Sequence, residues 1–449
     1  MKISRRDIIK LMAGSVPAYY ASNALSFAAG NAPAVASAVS AKGLKDAYEG
    51  KFLIGCAGDI PGGYNDAELA NIKANYNIVT PENCMKPQGT QPTEGNFSWQ
   101  RPEALVNWCE ENKIKVWGHT LCWHAQTPRW FFEGGTREEG MARLQKHIET
   151  VVGHFKGRIM GWDVVNESIA DGNNDGTTEH LRTSSWYQMV GNDVLNMAFK
   201  WAHEADPDAQ LYYNDYNIEQ GSVKNTGKHA SSLLLLKRLI DEGAPINGVG
   251  IQGHWHLDTN IEDVDKAIEN YKSLGLKVSI SELDVTAAGP NSGAFNPGGG
   301  GNRRGRGRGN ATPANDPNTV PGAMAPSAQN VRFSLAGFGG NAGAEGDTGA
   351  RRGAGGGRGA RGGFGGGFGG FGGRGGGTPP TPEILQQQAD VYSKLFQIFN
   401  KYSDTVSRVT FWGISDNRTW RRGQNPLLFD GQLQPKPAFQ AVLDVAQGK

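Results

Sequence analysis

Cysteine is scarce in this chain. Four residues in 449, at 56, 84, 109 and 122, all fall in the first third, and none forms a C-x-x-C pair. That spacing excludes a small disulfide scaffold and a Cys-rich metal site. Three of them sit in apolar, strand-like runs, and all four read as buried free thiols packed as small hydrophobes. An excess charge of one sign is missing too: Lys plus Arg number 45 against 44 Asp plus Glu. The chain as a whole therefore has no electrostatic preference for nucleic acid or an anionic membrane. No segment is apolar for long enough to span a bilayer stably. The first strand-like run ends in "GCAGDIPGG", which lacks the GxGxxG spacing of a dinucleotide-binding turn.

Glycine, by contrast, is abundant, and its location matters more than its amount. Of 64 glycines, 33 lie in residues 287–381, together with ten Arg, no Lys and three acids. Such a composition buries too little apolar surface to offset its ordering entropy, so a disordered, locally basic insertion is expected over 288–380. RGG-like repeats of this kind can also bind single-stranded nucleic acid, but an exported chain offers them little opportunity, so no nucleic-acid partner is expected. At the other end, "MKISRRDIIK" puts Arg5 and Arg6 before a short, interrupted apolar stretch and small residues. This resembles a twin-arginine export signal. Residues 1–38 are assigned to signal and linker, with cleavage after Ala28 or Ala38 and a periplasmic or extracellular destination. A basic start to a cytosolic helix is the alternative.

From about residue 44, strand-like and helix-like runs alternate. Eight strand candidates occur at 52–58, 77–84, 115–122, 161–167, 210–216, 247–254, 277–284 and 408–414. Amphipathic segments such as 138–155, 192–205, 228–242 and 382–402 lie between them. Eight strand–helix repeats predict a (β/α)8 barrel over 43–449, interrupted by the insertion after the seventh strand. An open doubly wound sheet is the weaker alternative.

In such barrels the active site lies at the carboxyl ends of the strands. Strand two would bring Glu82, Asn83 and Lys86 there, strand three His119, Trp123 and His124, and strand four Asn166 and Glu167. Strand five adds Asn214 and Tyr216, and strand six Gln252, His254 and Trp255. Strand seven adds Glu282 and Asp284, strand eight Trp412, and the loop after it Trp420. Two carboxylates on separate strands, many amides and several indoles suit an uncharged, polyhydroxylated ring, and a pair of carboxylates can cleave a glycosidic bond. Either acid alone reads more readily as a helix N-cap-region acid or a salt-bridge partner, so the case rests on the ensemble; the indoles of Trp108, Trp162 and Trp201 read as core. Adjacent strand residues point oppositely, so Asn166 and Glu167 can share a site only if the strand ends or bulges there.

Seven stretches together, "PENCMK", "WGHTLCWHAQTP", "WDVVNE", "YYNDYN", "GIQGHW", "ISELDV" and "FWGISDNRTW", resemble in kind and order the motifs of glycoside hydrolase family 10, the endo-β-1,4-xylanases. The similarity covers roughly 43–286 and 382–446. It implies a (β/α)8 barrel that cleaves xylan with retention, Glu167 as acid/base and Glu282 as nucleophile, their carboxyls about 5–5.5 Å apart. It implies that His254 hydrogen-bonds the nucleophile and holds it ionised, with Asp284 behind it, and that Asn166 meets the sugar 2-hydroxyl. Glu82, Asn83, Lys86, His119 and Trp123 would bind sugars on the non-reducing side under the indoles of Trp412 and Trp420. Gln252 and Tyr216 would line the cleft. No metal or organic cofactor is implied. The expected partners are xylan or xylo-oligosaccharides, without membrane insertion, and a monomer is expected. Two rivals remain: histidines 119, 124, 254 and 256 as metal ligands, and a sugar-binding module derived from an enzyme.

Overall fold

The computed structural model describes residues 43–172, 174–287 and 379–449. The expected leader, and the expected insertion apart from its last two residues, lie outside the described residues.

Nine strands occur among the described residues: β1 (Leu53–Ala57), β2 (Ile78–Thr80), β3 (Lys115–Trp123), β4 (Gly161–Asn166), β5 (Gln210–Asp215), β6 (Gly248–Ile251), β7 (His254–Trp255), β8 (Lys277–Val285) and β9 (Val406–Phe411). β1 through β6 pair in sequence, β6 pairs β8, β8 pairs β9 and β9 returns to β1, all parallel. Eight strands thus close a barrel, while the two-residue β7 extends the rim beside β8. Around them run α1 (Leu44–Ala47), α2 (Asp66–Asn75), α3 (Pro87–Thr90), α4 (Gln100–Glu111), α5 (Arg137–His154), α6 (Ser185–Val190), α7 (Asp193–Ala205), α8 (Gly227–Asp241), α9 (Ile261–Ser273), α10 (Pro382–Lys401) and α11 (Pro437–Ala446). The (β/α)8 expectation holds, and α5, α7, α8 and α10 are the four amphipathic stretches named from sequence.

Local chemistry explains the boundaries. Thr136 accepts from the Glu139 amide, while Glu139 reaches back to the Thr136 amide; this capping box starts α5. Thr381 caps α10, with Pro382 in the first turn where no amide is needed. α7 buries Val194, Leu195, Ala198, Phe199, Trp201 and Ala202, a one-sided stripe that packs on the sheet. The main apolar core lies between barrel and helices, whereas Ile78, Trp117 and Tyr212 form a second cluster. Beside Trp117 the Arg408 guanidinium lies 4.0 Å from the indole centroid, and it meets Thr410 Oγ1 at 2.9 Å and Asp163 Oδ1 at 3.5 Å.

Four details correct the sequence reading. Strand two stops at Thr80, so Glu82, Asn83 and Cys84 stand in a loop and Lys86 immediately precedes α3; Pro81 and Pro87 disfavour a continuous ladder. Strand six is divided between β6 and β7. His119 lies mid-strand in β3 rather than at its end, and Trp123 is the last residue of that strand. Trp108, expected in the core with Trp162 and Trp201, is only partly buried. All four cysteines are buried and unpaired.

Candidate active site

The two acids arrive where regular pairing breaks down. On β4 the register slips between Asp163 and Val165 against β5; on β8 it slips between Ile280 and Leu283 against β9. A slip re-aims the following side chains. β4 ends at Asn166, and Glu167 takes φ +57°, a left-handed conformation that costs a non-glycine residue about 1–3 kcal/mol. Its amide is tied to the Asn214 carbonyl at 2.8 Å. Asn166 and Glu167 therefore both reach the rim because the strand has ended. On β8, consecutive Ser281 and Glu282 both reach Asn214: Ser281 Oγ donates to its Oδ1, and Asn214 Nδ2 donates to Glu282 Oε1 at 2.9 Å.

Glu167 receives two neutral donors, Trp123 Nε1 at 2.8 Å and Gln252 Nε2 at 2.9 Å. Asn166 lies between the acids. With one amide orientation its oxygen accepts from Asn214 Nδ2 at 2.9 Å; with the other it accepts from Trp123 Nε1 at 3.2 Å. Amides thus run continuously from Gln252 beside Glu167, through Asn166 and Asn214, to Glu282.

Glu282 sits among positive groups. His254 Nε2 lies 3.2 Å from Glu282 Oε2, and His254 Nδ1 lies 3.0 Å from Asp284 Oδ2. Burial alone would raise the Glu282 carboxyl, but the His254 hydrogen bond and the charges of His119, His254 and Lys86 outweigh it and hold it below the usual range. Burial would likewise lower the His254 imidazole; Asp284 and Glu282 reverse this and push it up to about 9. Asp284 is held in turn by Trp420 Nε1 at 2.9 Å and by Arg421, whose Nε lies 3.1 Å from Oδ1. Gly253 separates Gln252 from His254 at φ +78°, and a Cβ there would lie 3.0 Å from Ile280 Cγ2.

The remaining predicted residues make contacts of their own around these groups. Lys86 Nζ bonds Gln126 Oε1 at 2.9 Å, reaches Asn83 Oδ1 at 3.5 Å and lies 4.8 Å from the Trp123 ring centroid. Burial, with Asp59 adding to it, pushes the Glu82 carboxyl up. His119 Nδ1 is 2.9 Å from Asp163 Oδ2, and its ring meets Trp412 edge-on at 5.4 Å. Trp412 is buried, while Trp420 is 36% exposed and lies 4.9 Å from the His254 ring. Tyr216 meets the centre only indirectly: its hydroxyl donates to Asp171 and accepts from Arg182, whose Nε donates to the Glu167 carbonyl. Sequence reasoning placed Asn214 at a strand end without a role, and it passed over Ser281, Gln126, Arg182 and Arg421. Gln126 and Ser281 sit within quoted motifs; Arg182 and Arg421 had no local signal beyond their polarity. His256 turns to Thr286 Oγ1 at 2.8 Å, and His254 and His119 each face a carboxylate. Among the described residues no group of three or more His, Cys, Asp or Glu is arranged to hold a metal.

The signature of glycosyl hydrolase family 10 matches residues 43–312 and 376–445. The chain belongs to that family. The β-1,4-xylanase of Dictyoglomus thermophilum is 32% identical over 93% of this chain and 95% of its own length. The endo-1,4-β-xylanase A of Thermoanaerobacterium saccharolyticum is 33% identical over 89% of this chain, which spans only 27% of that longer protein. Among solved structures, an intracellular xylanase of T. saccharolyticum, a mutant in complex with xylotriose, is 30% identical with a TM-score of 0.65, covering 90% of this chain and 99% of its own. The Paenibacillus barcinonensis xylanase bound to a conduramine derivative has the same identity, TM-score and coverage. In this family 10 chain the match runs into the start of the Gly/Arg-rich segment, to 312, and resumes near its end, at 376.

Proposed function

We propose that this chain hydrolyses internal β-1,4-xylosidic bonds of xylan with retention, Glu282 acting as nucleophile and Glu167 as acid and then base. The observation that carries the reading is the contrast between the two acids. Glu282 is buried, yet neighbouring cations hold it in its charged form, as a nucleophile requires. Glu167 instead receives two uncharged donors, Trp123 Nε1 and Gln252 Nε2, and is assigned the proton transfers. In the first half-reaction Glu282 attacks the anomeric carbon while Glu167 protonates the departing oxygen. In the second, Glu167 takes a proton from water as that water displaces Glu282. Asn166 is assigned to the sugar 2-hydroxyl, and Glu82, Asn83, Lys86, His119 and Trp123 to sugars on the non-reducing side. Trp412 and Trp420 are assigned as the covering indoles, and Gln252 and Tyr216 as cleft lining. Incubation with β-1,4-xylan tests this directly: new reducing ends and short oligosaccharides are expected from the parent and none from Glu282→Gln, and a parent without activity overturns the reading.

We further propose export in the folded state, supported by Arg5 and Arg6 and by thiols that stay unpaired. Lys at both arginines should retain xylanase activity in the cytoplasmic fraction. A monomer is proposed because one barrel carries both acids; sedimentation would check it. Among the described residues no helix is long and apolar enough to cross a membrane. The Gly/Arg-rich segment is proposed as a tolerated insertion, and deletion of 288–380 should leave xylan turnover within about threefold, as for other surface-loop changes.

A further inference from the structure

The left-handed turn at Glu167 needs an external support, and one side chain supplies it. Arg182, in the loop that leads to α6, directs its guanidinium back to the end of β4. Its Nε donates to the Glu167 carbonyl at 3.2 Å, and its Nη2 donates to the Ile169 carbonyl at 3.2 Å and to Tyr216 Oη at 2.9 Å. Asp171 Oδ2 lies 3.3 Å from both Nη1 and Nη2. The Arg182 amide donates to the Ser168 carbonyl at 2.7 Å, and a bridge between Ile169 and Leu181 runs alongside. From below, Asp215 Oδ2 accepts from the Ile169 amide at 3.3 Å and is itself tied to Tyr213. The chain on the C-terminal side of Glu167 is thus gripped on both faces.

We propose that Arg182 is a positioning residue for the proton-transferring carboxylate: its fork holds the Glu167 and Ile169 carbonyls and keeps Glu167 at φ +57°, with its carboxyl between Trp123 and Gln252. The inference rests on the assignment of Glu167 as acid/base. A planar fork suits this task because its donors point at several acceptors from one rigid group, whereas a lysine ammonium is a single flexible point. Arg182 touches neither Glu282 nor the groups around it in any of these contacts. Loss of the fork should therefore impair the step that needs a proton and spare the attack by Glu282.

Leaving-group chemistry separates these outcomes. The sugar leaving group of xylan would depart as an unstable alkoxide without the proton and leaves as an alcohol with it; a dinitrophenolate leaves without one. The test compares the parent, Arg182→Lys and Arg182→Met on xylan and on dinitrophenyl β-xylobioside, with Tm recorded for each. In both variants kcat/KM on xylan should fall roughly 10- to 100-fold, the scale of a small misplacement of a catalytic group. On the dinitrophenyl substrate kcat/KM should stay within about threefold, while kcat falls because Glu167 must still activate water, and added azide should restore that kcat. Equal losses of kcat/KM on both substrates, or no loss on xylan, overturn the proposal. If neither variant folds, Asp171→Asn, which weakens the outer end of the fork together with the Tyr216 and Lys228 contacts of Asp171, carries the same comparison. It should show a smaller split of about two- to fivefold in the same direction, and its absence is equally decisive. A parent inactive on every xyloside would instead overturn the functional reading, so the two failures are distinguishable.

Discussion

Glu167 and Glu282 are the same residue type at the ends of two strands of one barrel, yet their surroundings differ in kind. Around Glu282 the chain gathers His254, with His119 and Lys86 adding charge, and it backs His254 with Asp284, Trp420 and Arg421. Around Glu167 it places an indole and an amide, and it spends its charged group, Arg182, on the backbone instead. Two carboxyls in one small space thus have different neighbours: cations hold Glu282 below the usual carboxylate range, whereas an indole and an amide orient Glu167.

The largest test of that contrast is Glu282→Gln. Removal of a nucleophile should lower kcat by roughly 10⁴-fold or more on xylan and on activated aryl xylosides alike; a variant spared on the activated substrate would break the contrast. Glu167→Gln should be selective instead. Xylan turnover should fall about 10²- to 10⁴-fold, whereas kcat/KM for a dinitrophenyl glycoside should fall by less than about tenfold. His254→Asn comes next. Without its hydrogen bond and charge the Glu282 carboxyl rises, so the acid limb of the kcat/KM profile on xylan should move to higher pH, with a loss of about 10-fold or more at pH 5. The smallest effect concerns stability. The imidazole of His254 is raised from 6.5 to about 9 on folding, so its contribution is fully present below about pH 6.5 and fades as pH rises through 9. The fall in Tm between pH 6.5 and 9.5 should be shallower in His254→Asn than in the parent.

Much of this centre was legible before any coordinates. Strand-like runs with polar ends, repeated eight times, foretold the barrel, and the acids at 167 and 282 stood out because an apolar strand has no local use for them. The opposite pointing of Asn166 and Glu167 was legible only as a conflict; its resolution, a left-handed glutamate, carries no sequence mark because glutamate is not a residue chosen for that conformation. The division of strand six after Ile251 was hidden for a related reason, since "GVGIQGHW" reads as a continuous run and Gly253 marks a turn only when its φ is known. Arg182 was missed because its partners are carbonyls, which every residue possesses. Asn214 was seen but given no role, because its function exists only when Asn166 and Glu282 from two other strands lie beside it.

Gly253 has a consequence for how such a sequence can change. Residue 252 serves one acid and residue 254 the other, with a single left-handed peptide unit between them. Most substitutions around the cleft alter one half-reaction and leave the other as a fixed background against which selection can act. A side chain at 253 has no such background: it displaces both partners in the same generation. This position offers no graded path, and lineages that keep both chemical steps should keep it unoccupied.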